Sequence, residues 1–140
     1  MGKTQTGLKK APQEMRRRNS ARITTVPAGG REGPVPKWPL GKATKEEQAR
    51  WEELWVLPQA VIWEAMGIEL EVATFVRVAL KAEATLEPRL LTERRLQGDR
   101  LLLSPVSMFR SQVQIVDEAG ELTEGNVSSL EAYKRAVGDG

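Results

Sequence analysis

The sequence predicts an all-α protein: a small bundle of four or five helices, with a disordered basic arm before it and a short helix after it. From Thr44 onward, apolar residues recur at intervals of three and four, the spacing of an amphipathic helix. The first 37 residues contain few large apolar side chains and several prolines and glycines, so they cannot bury enough surface to offset the entropy lost on ordering. We therefore divide the chain into an arm at residues 1–37, a helical core at 38–117 and a C-terminal segment at 118–140.

Residues 44–66 hold three of the four tryptophans, and Thr44 followed by Glu47 predicts a capping-box helix start. Trp51 and Trp55 are four residues apart and would share one face of a helix. Pro58 ends that helix and suits the first position of the next, where its missing N–H would have had no partner. The stretch therefore predicts two short helices that meet at a tight corner. Trp38 lies between two prolines and is expected to dock on this pair as an anchor.

The next predicted helix, at residues 68–84, is apolar on nearly every side. A helix with this pattern has to be buried on all sides, which a domain of this size can hardly achieve alone. Two alternatives follow: the helix is the centre of the bundle, or part of it is buried against a second subunit. The residues that these alternatives concern are Val72, Phe75, Val76 and Ala79.

Two further helices are predicted from their start signals. One begins at or just before Pro88, and Gly98 inside it costs about 1 kcal/mol relative to alanine, so this helix is expected to kink or end early. The other begins at Ser104 and Pro105, an N-cap oxygen followed by a residue with a preset φ angle. The apolar residues that then fall at helical spacing are Val106, Phe109, Val113 and Val116.

Residues 1–37 carry nine Lys or Arg against two Glu, although the whole chain has a net charge of only +2. Such an arm can neutralise phosphates of a nucleic acid and release the counterions condensed on them. The other interpretation is a solvated tail that keeps the protein in solution. If the arm binds DNA, the candidate residues are Lys9, Lys10, Arg16, Arg17, Arg18, Arg22, Arg31 and Lys37.

The C-terminal segment begins with an acidic, glycine-punctuated linker at residues 117–125. Ser128 and Glu131 then repeat the capping-box spacing, which predicts one short helix at residues 128–137. A helix this short is marginal in water by itself, so it either docks on its own domain or is held ready for a partner. Its apolar face is formed by Leu130, Tyr133 and Val137.

The composition gives no sign of catalysis. The 140 residues include no cysteine and no histidine, which excludes thiol chemistry, zinc fingers and histidine-based acid–base or metal sites. The GGREG sequence at 29–33 is not a phosphate-binding loop pattern. We therefore expect no enzyme activity, no metal and no cofactor. No apolar run approaches the length of a membrane span, so we expect no membrane partner.

The tryptophan stretch resembles the small subunit of phage terminases, most closely the type found in tailed phages of actinobacteria. The resemblance covers roughly residues 36–116. It lies in the order W-x-x-L-W-x-x-P-x-A-x-x-W, in the apolar helix VATFVRVAL, and in the L-x-L-S-P that opens a later helix. The residues of the first motif are Trp51, Leu54, Trp55, Pro58, Ala60 and Trp63, and those of the last are Leu101, Leu103, Ser104 and Pro105.

This resemblance implies a ring-shaped homo-oligomer in the host cytoplasm that recognises the packaging initiation site on viral double-stranded DNA. The small subunit brings that site to the large terminase subunit, which holds the ATPase and nuclease. In these terms residues 38–117 are the oligomerisation domain, and the C-terminal helix binds the large subunit. One departure is clear: many small terminases carry an N-terminal helix-turn-helix, and residues 1–37 cannot form one. The alternative is a helical protein–protein adaptor with no DNA role.

Overall fold

The computed structural model describes residues 22–123 and 135–138. Within residues 22–123 the chain forms five helices and two strands, so it is mostly helical, as predicted, but not all-α. In chain order the elements are β1 (Thr24–Pro27), α1 (Lys45–Trp55), α2 (Ala60–Met66), α3 (Glu69–Thr85), α4 (Pro88–Arg100), α5 (Pro105–Arg110) and β2 (Val113–Val116). The strands form a two-stranded parallel sheet.

The centre of the fold is a row of four buried indole rings, which we call the tryptophan core: Trp38, Trp51, Trp55 and Trp63. Successive ring centroids are 5.2, 5.3 and 5.6 Å apart, and the first and last pairs meet edge to face. Trp51 donates its indole N–H to the carbonyl of Pro36 at 2.7 Å, and Trp63 donates to Leu101 at 3.0 Å. Trp38 thus anchors residues 22–38, which we call the lead-in segment, and its predicted role as an anchor is confirmed.

Local signals set the bounds of α1 and α2. The hydroxyl of Thr44 accepts from the backbone N–H of Glu47, and the Glu47 carboxylate accepts from the N–H of Thr44, so the predicted capping box is present. That backbone hydrogen bond, together with Arg77, holds the pKa of Glu47 below its usual range. Pro58 lies in the corner between the helices, and α2 begins two residues later than the sequence suggested.

Helices α3 and α4 pack along each other and close the tryptophan core from one side. Four residues of α3 were candidates for either the bundle core or a subunit interface, and all are buried in the chain's own core: Val72, Phe75, Val76 and Ala79. This placement supports the first alternative. An interface between subunits would have to use other residues, because these side chains are already covered by the chain itself.

The expected kink or early end at Gly98 is not found, because α4 continues through this residue to Arg100. Gly98 is buried against the ring of Phe75, and a β-carbon built on it would lie 3.5 Å from Cε2 of that ring. The glycine thus lies at a close helix–helix contact, and the contact leaves room for one methyl group.

The sheet is the main difference from the predicted all-α fold. Thr24–Pro27 lie in the segment expected to be disordered, yet they pair in parallel with Val113–Val116, with Thr24 opposite Val113. The strand is fixed by burial of Val26 in a second, smaller cluster with Met108 and Val113. The predicted boundary of the disordered arm at residue 37 is therefore wrong, since the first strand begins at Thr24.

The helix predicted to begin at Ser104 is shorter than expected, because α5 ends at Arg110 rather than near Val116. Gln112 adopts a φ of 56°, in the left-handed region, which breaks the helix and turns the chain into β2. Val113–Val116 include three β-branched residues, which favour a strand. Phe109, expected in the core, is 44% exposed.

After β2 the chain makes a tight acidic turn. The carboxylate of Asp117 accepts from the backbone N–H groups of Ala119 and Glu121, each at 2.9 Å. The chain then returns antiparallel to β2 through a bridge between Val116 and Leu122. Of the predicted C-terminal helix, Leu130 and Tyr133 lie outside the described residues. Residues 135–138 are helical, and Val137 is 60% exposed.

A pair of glycine substitutions tests this packing. Gly98→Ala should raise the free energy of unfolding by about 0.5–1 kcal/mol, because alanine restricts the unfolded chain and its methyl group fits against Phe75. Gly30→Ala should lower it by at least about 1 kcal/mol, because Gly30 has a φ of 76° and an added β-carbon would lie 2.8 Å from the Val56 carbonyl oxygen. Urea denaturation measures both, and a destabilised Gly98→Ala variant would contradict the α3–α4 packing.

Candidate nucleic-acid interface

The eight basic residues proposed from the sequence fall into three groups. Lys9, Lys10, Arg16, Arg17 and Arg18 lie outside the described residues. Arg22 and Lys37 are described and exposed, at the two ends of the lead-in segment. Arg31, by contrast, is mostly buried, so its surroundings decide whether it can bind a ligand.

Arg31 holds the lead-in segment to the body of the protein. Only 11% of its side chain is exposed, and its guanidinium forms an ion pair with Glu64 of α2. The same guanidinium donates to the Pro34 carbonyl at 2.9 Å and lies 5.7 Å from the centroid of the Trp55 ring. With these donors occupied, Arg31 has a structural role, and this role argues against its assignment to DNA binding.

Close backbone contact brings Arg31 to this position. Gly30 adopts a left-handed conformation and packs against the carbonyl oxygens of Val56 and Leu57 at the corner between α1 and α2. A side chain at residue 30 would hold the lead-in segment away from this corner. The guanidinium of Arg31 then reaches over the edge of the tryptophan core to Glu64.

Most other arginines of the helical body are also paired with carboxylates. Glu83 of α3 binds Arg50 of α1 and Arg94 of α4, at 3.1 and 3.2 Å, and so connects three helices. The hydrogen bond from Arg50, with the charges of both arginines, holds the pKa of Glu83 below its usual range. Arg77 binds Glu47 at 2.6 Å. Arg95 is 3.9 Å from Asp99.

Eight basic side chains between residues 22 and 123 form no ion pair with any described residue. They are Arg22, Lys37, Lys42, Lys45, Lys81, Arg89, Arg100 and Arg110. Of these, Lys37 and Lys45 line one groove. It has a volume of about 540 Å³ and lies between the lead-in segment and α1, where Trp38 and Gln48 contribute to its walls.

Two of the residues that line this groove are lysines, and we call it the lysine groove (Lys37, Lys45, Gln48 and Glu52). Glu52 accepts a hydrogen bond from Gln48 at 3.0 Å. Sequence reasoning identified Lys37 but not Lys45, because a lysine in the first turn of an amphipathic helix is typical of an ordinary solvated face. Only the fold brings the two ammonium groups to one groove.

Within the described part of the chain, no group of three or more acidic side chains is placed to hold a metal ion. Nor is any of its helices long and apolar enough to cross a membrane.

Comparison with known proteins identifies no relative of this chain. No protein-family model matches the chain, and neither a curated protein nor a solved structure matches it. The assignment of a function therefore depends on the residues and their arrangement.

The contrast between Arg31 and Lys37 can be tested by removing each charge. Arg31→Gln should lower the free energy of unfolding by about 1–2 kcal/mol, because it removes the ion pair and the contact with the Trp55 ring. Lys37→Gln, at an exposed position, should change it by less than about 0.5 kcal/mol. Urea denaturation of both variants measures this, and an Arg31→Gln variant as stable as the native chain would refute the structural role.

Proposed function

We propose that this protein is the small terminase subunit of a tailed phage. In this role it binds viral double-stranded DNA at the packaging initiation site, and it recruits and regulates the large subunit that carries the ATPase and nuclease. The proposal combines the sequence resemblance, which covers the tryptophan core and the helices around it, with the distribution of charge along the chain. The proposal of DNA binding rests on this distribution of charge.

The net positive charge is concentrated in residues 1–21. Residues 1–21 contain six Lys or Arg and a single Glu, a net charge of +5. In residues 22–123, fifteen acidic residues outnumber thirteen basic ones, and five of those basic residues are engaged in ion pairs. A polyanion is therefore attracted to residues 1–21, whereas the net negative charge of residues 22–123 weakly repels it.

Binding through such an arm is electrostatic and independent of base sequence. Each phosphate that a lysine or arginine neutralises releases condensed counterions, which makes the affinity fall steeply with salt. A single arm of this charge binds weakly. A ring of copies would present many arms to the same DNA, and the effective concentration of each further arm would raise the overall affinity.

The body would supply the ring, and the C-terminal segment would supply the contact with the large subunit. Since the four candidate residues of α3 are buried in the chain's own core, a ring contact would use exposed apolar side chains such as Leu70 of α3 and Leu96 of α4. For the large subunit, the exposed side chain of Val137 supports a free apolar face on the C-terminal helix. Leu130 and Tyr133 complete that face in the sequence.

A groove between α3 and α4 favours a second candidate function, a protein–protein adaptor. The groove has a volume of about 330 Å³, and its lining includes Ile68, Leu70, Thr74 and Leu101. Leu70 is 56% exposed, an unusual position for a large apolar side chain beside a groove. A protein of this class would bind partners through this groove and would not be retained on DNA.

The arm can be tested by replacing three arginines together. The Arg16→Gln, Arg17→Gln and Arg18→Gln triple variant should bind all duplex sequences more weakly than the native chain does. The slope of log K against log salt concentration should become shallower by about three, because each lost phosphate contact accounts for about 0.9. Fluorescence anisotropy with a labelled duplex, repeated over a range of salt concentrations, measures this slope.

A matched control removes three charges from the folded body instead. Lys81→Gln, Arg89→Gln and Arg100→Gln change exposed residues without ion pairs to described groups, and this variant should keep most of the native slope. An unchanged slope in the arm variant would refute the arm as the DNA-binding element. If the native chain itself does not bind duplex DNA, the adaptor function is supported instead.

A further inference from the structure

We propose that Arg22 and Arg110 form a second phosphate-binding site for duplex DNA, on the folded body at the base of the arm. This inference rests on the proposed function and extends it, because it names a residue of α5 that the sequence did not indicate. We call the pair the arm-base site (Arg22 and Arg110). Its two residues lie two positions before Thr24 and Gln112, whose backbone groups are hydrogen-bonded to each other.

The parallel sheet brings the two residues to the same end of the molecule. Thr24 is opposite Val113 in the sheet register, and its N–H donates to the Gln112 carbonyl at 2.8 Å. Arg22 precedes Thr24 by two residues, and Arg110 precedes Gln112 by two. With strands about 4.8 Å apart and at most about 3.5 Å of chain per residue, the two α-carbons are separated by no more than roughly 19 Å.

Both side chains are available to a ligand. Arg22 and Arg110 are exposed and form no ion pair with a described residue, whereas Arg31, Arg50 and Arg77 are each bound to a carboxylate. Arg110 is the basic residue in the last turn of α5, where the helix dipole stabilises a positive charge.

The backbone that carries Arg110 is fixed. Its neighbour Ser111 donates to the Ser107 carbonyl at 3.0 Å, and Gln112 donates to the Phe109 carbonyl at 3.1 Å. Because this turn is held on both sides of Arg110, a phosphate contact there has no backbone ordering cost. A contact made by a residue of a flexible chain has to overcome that cost.

The acidic residues that follow the sheet lie toward its other end. The turn at residues 117–121 follows Val116, which is paired with Pro27, three residues beyond the Thr24–Val113 pair. At about 3.3 Å per residue, this places the turn roughly 10 Å or more from the arm base. The arm-base site thus places two arginines at the end of the sheet away from this acidic turn.

Single-charge substitutions in the full chain test this site. Arg110→Gln should make the slope of log K against log salt shallower by about one for a duplex of random sequence, and Arg110→Lys should keep the native slope because it keeps the charge. Arg89→Gln is the matched control, because it removes one exposed arginine from the first turn of α4. The salt slope of this variant should equal the native slope. Thermal unfolding of each variant verifies that the fold is intact.

The outcomes separate this inference from the proposed function. If the native chain binds DNA and Arg110→Gln leaves the slope unchanged, the arm-base site is refuted while DNA binding by the arm stands. If Arg89→Gln makes the slope as shallow as Arg110→Gln does, the effect is one of net charge and the site is likewise refuted. A native chain that does not bind duplex DNA refutes the proposed function, and the arm-base site with it.

Discussion

The packing of the four indole rings is the interaction on which the rest of the structure depends. The row begins with Trp38 in the lead-in segment, passes through α1 and ends with Trp63 of α2, whose N–H binds the carbonyl of Leu101 beyond α4. Each aromatic pair contributes about 0.5–1.5 kcal/mol beyond the burial of its surface. Because the row joins three consecutive segments and Trp63 also binds the distant Leu101 carbonyl, it fixes the lead-in segment, the α1–α2 corner and the end of α4 relative to each other.

The fixed position of the lead-in segment determines which of its basic residues are exposed. Arg31 contacts the Trp55 ring and Glu64, so a residue that belongs by composition to the basic arm becomes part of the folded body. Ordered chain then continues back to β1, and the arm leaves the body at Arg22 instead of near Lys37. In the proposed function this gives a clear division: residues 1–21 supply positive charge by their sequence, and the sheet holds the described chain that follows them.

The sequence predicted the local features well because their causes are local. The capping box at Thr44 and the start of α5 at Ser104 each depend on residues within one or two turns. The sheet could not be predicted in this way, since it pairs Thr24 with Val113 across most of the chain. The apolar spacing of β2 also fits a helix, and a run this short does not distinguish the two.

The candidate interface was predictable only in part, because composition locates charge but not the partners of that charge. Arg31 and Lys37 are equivalent in a list of basic residues, and only the fold separates a buried ion pair from an exposed ammonium group. The four apolar residues of α3 present the same problem. Their pattern required burial on all sides, but it could not tell whether the chain itself or a second subunit provides the cover.

The most direct test of the account is native mass spectrometry of the full chain and of a chain that begins at residue 22. Each is measured with and without a duplex that carries the presumed packaging site. The account predicts a closed oligomer of fixed subunit number for both chains, with DNA bound strongly by the full chain and much more weakly by the shortened one. A monomer or dimer that is indifferent to DNA would contradict it.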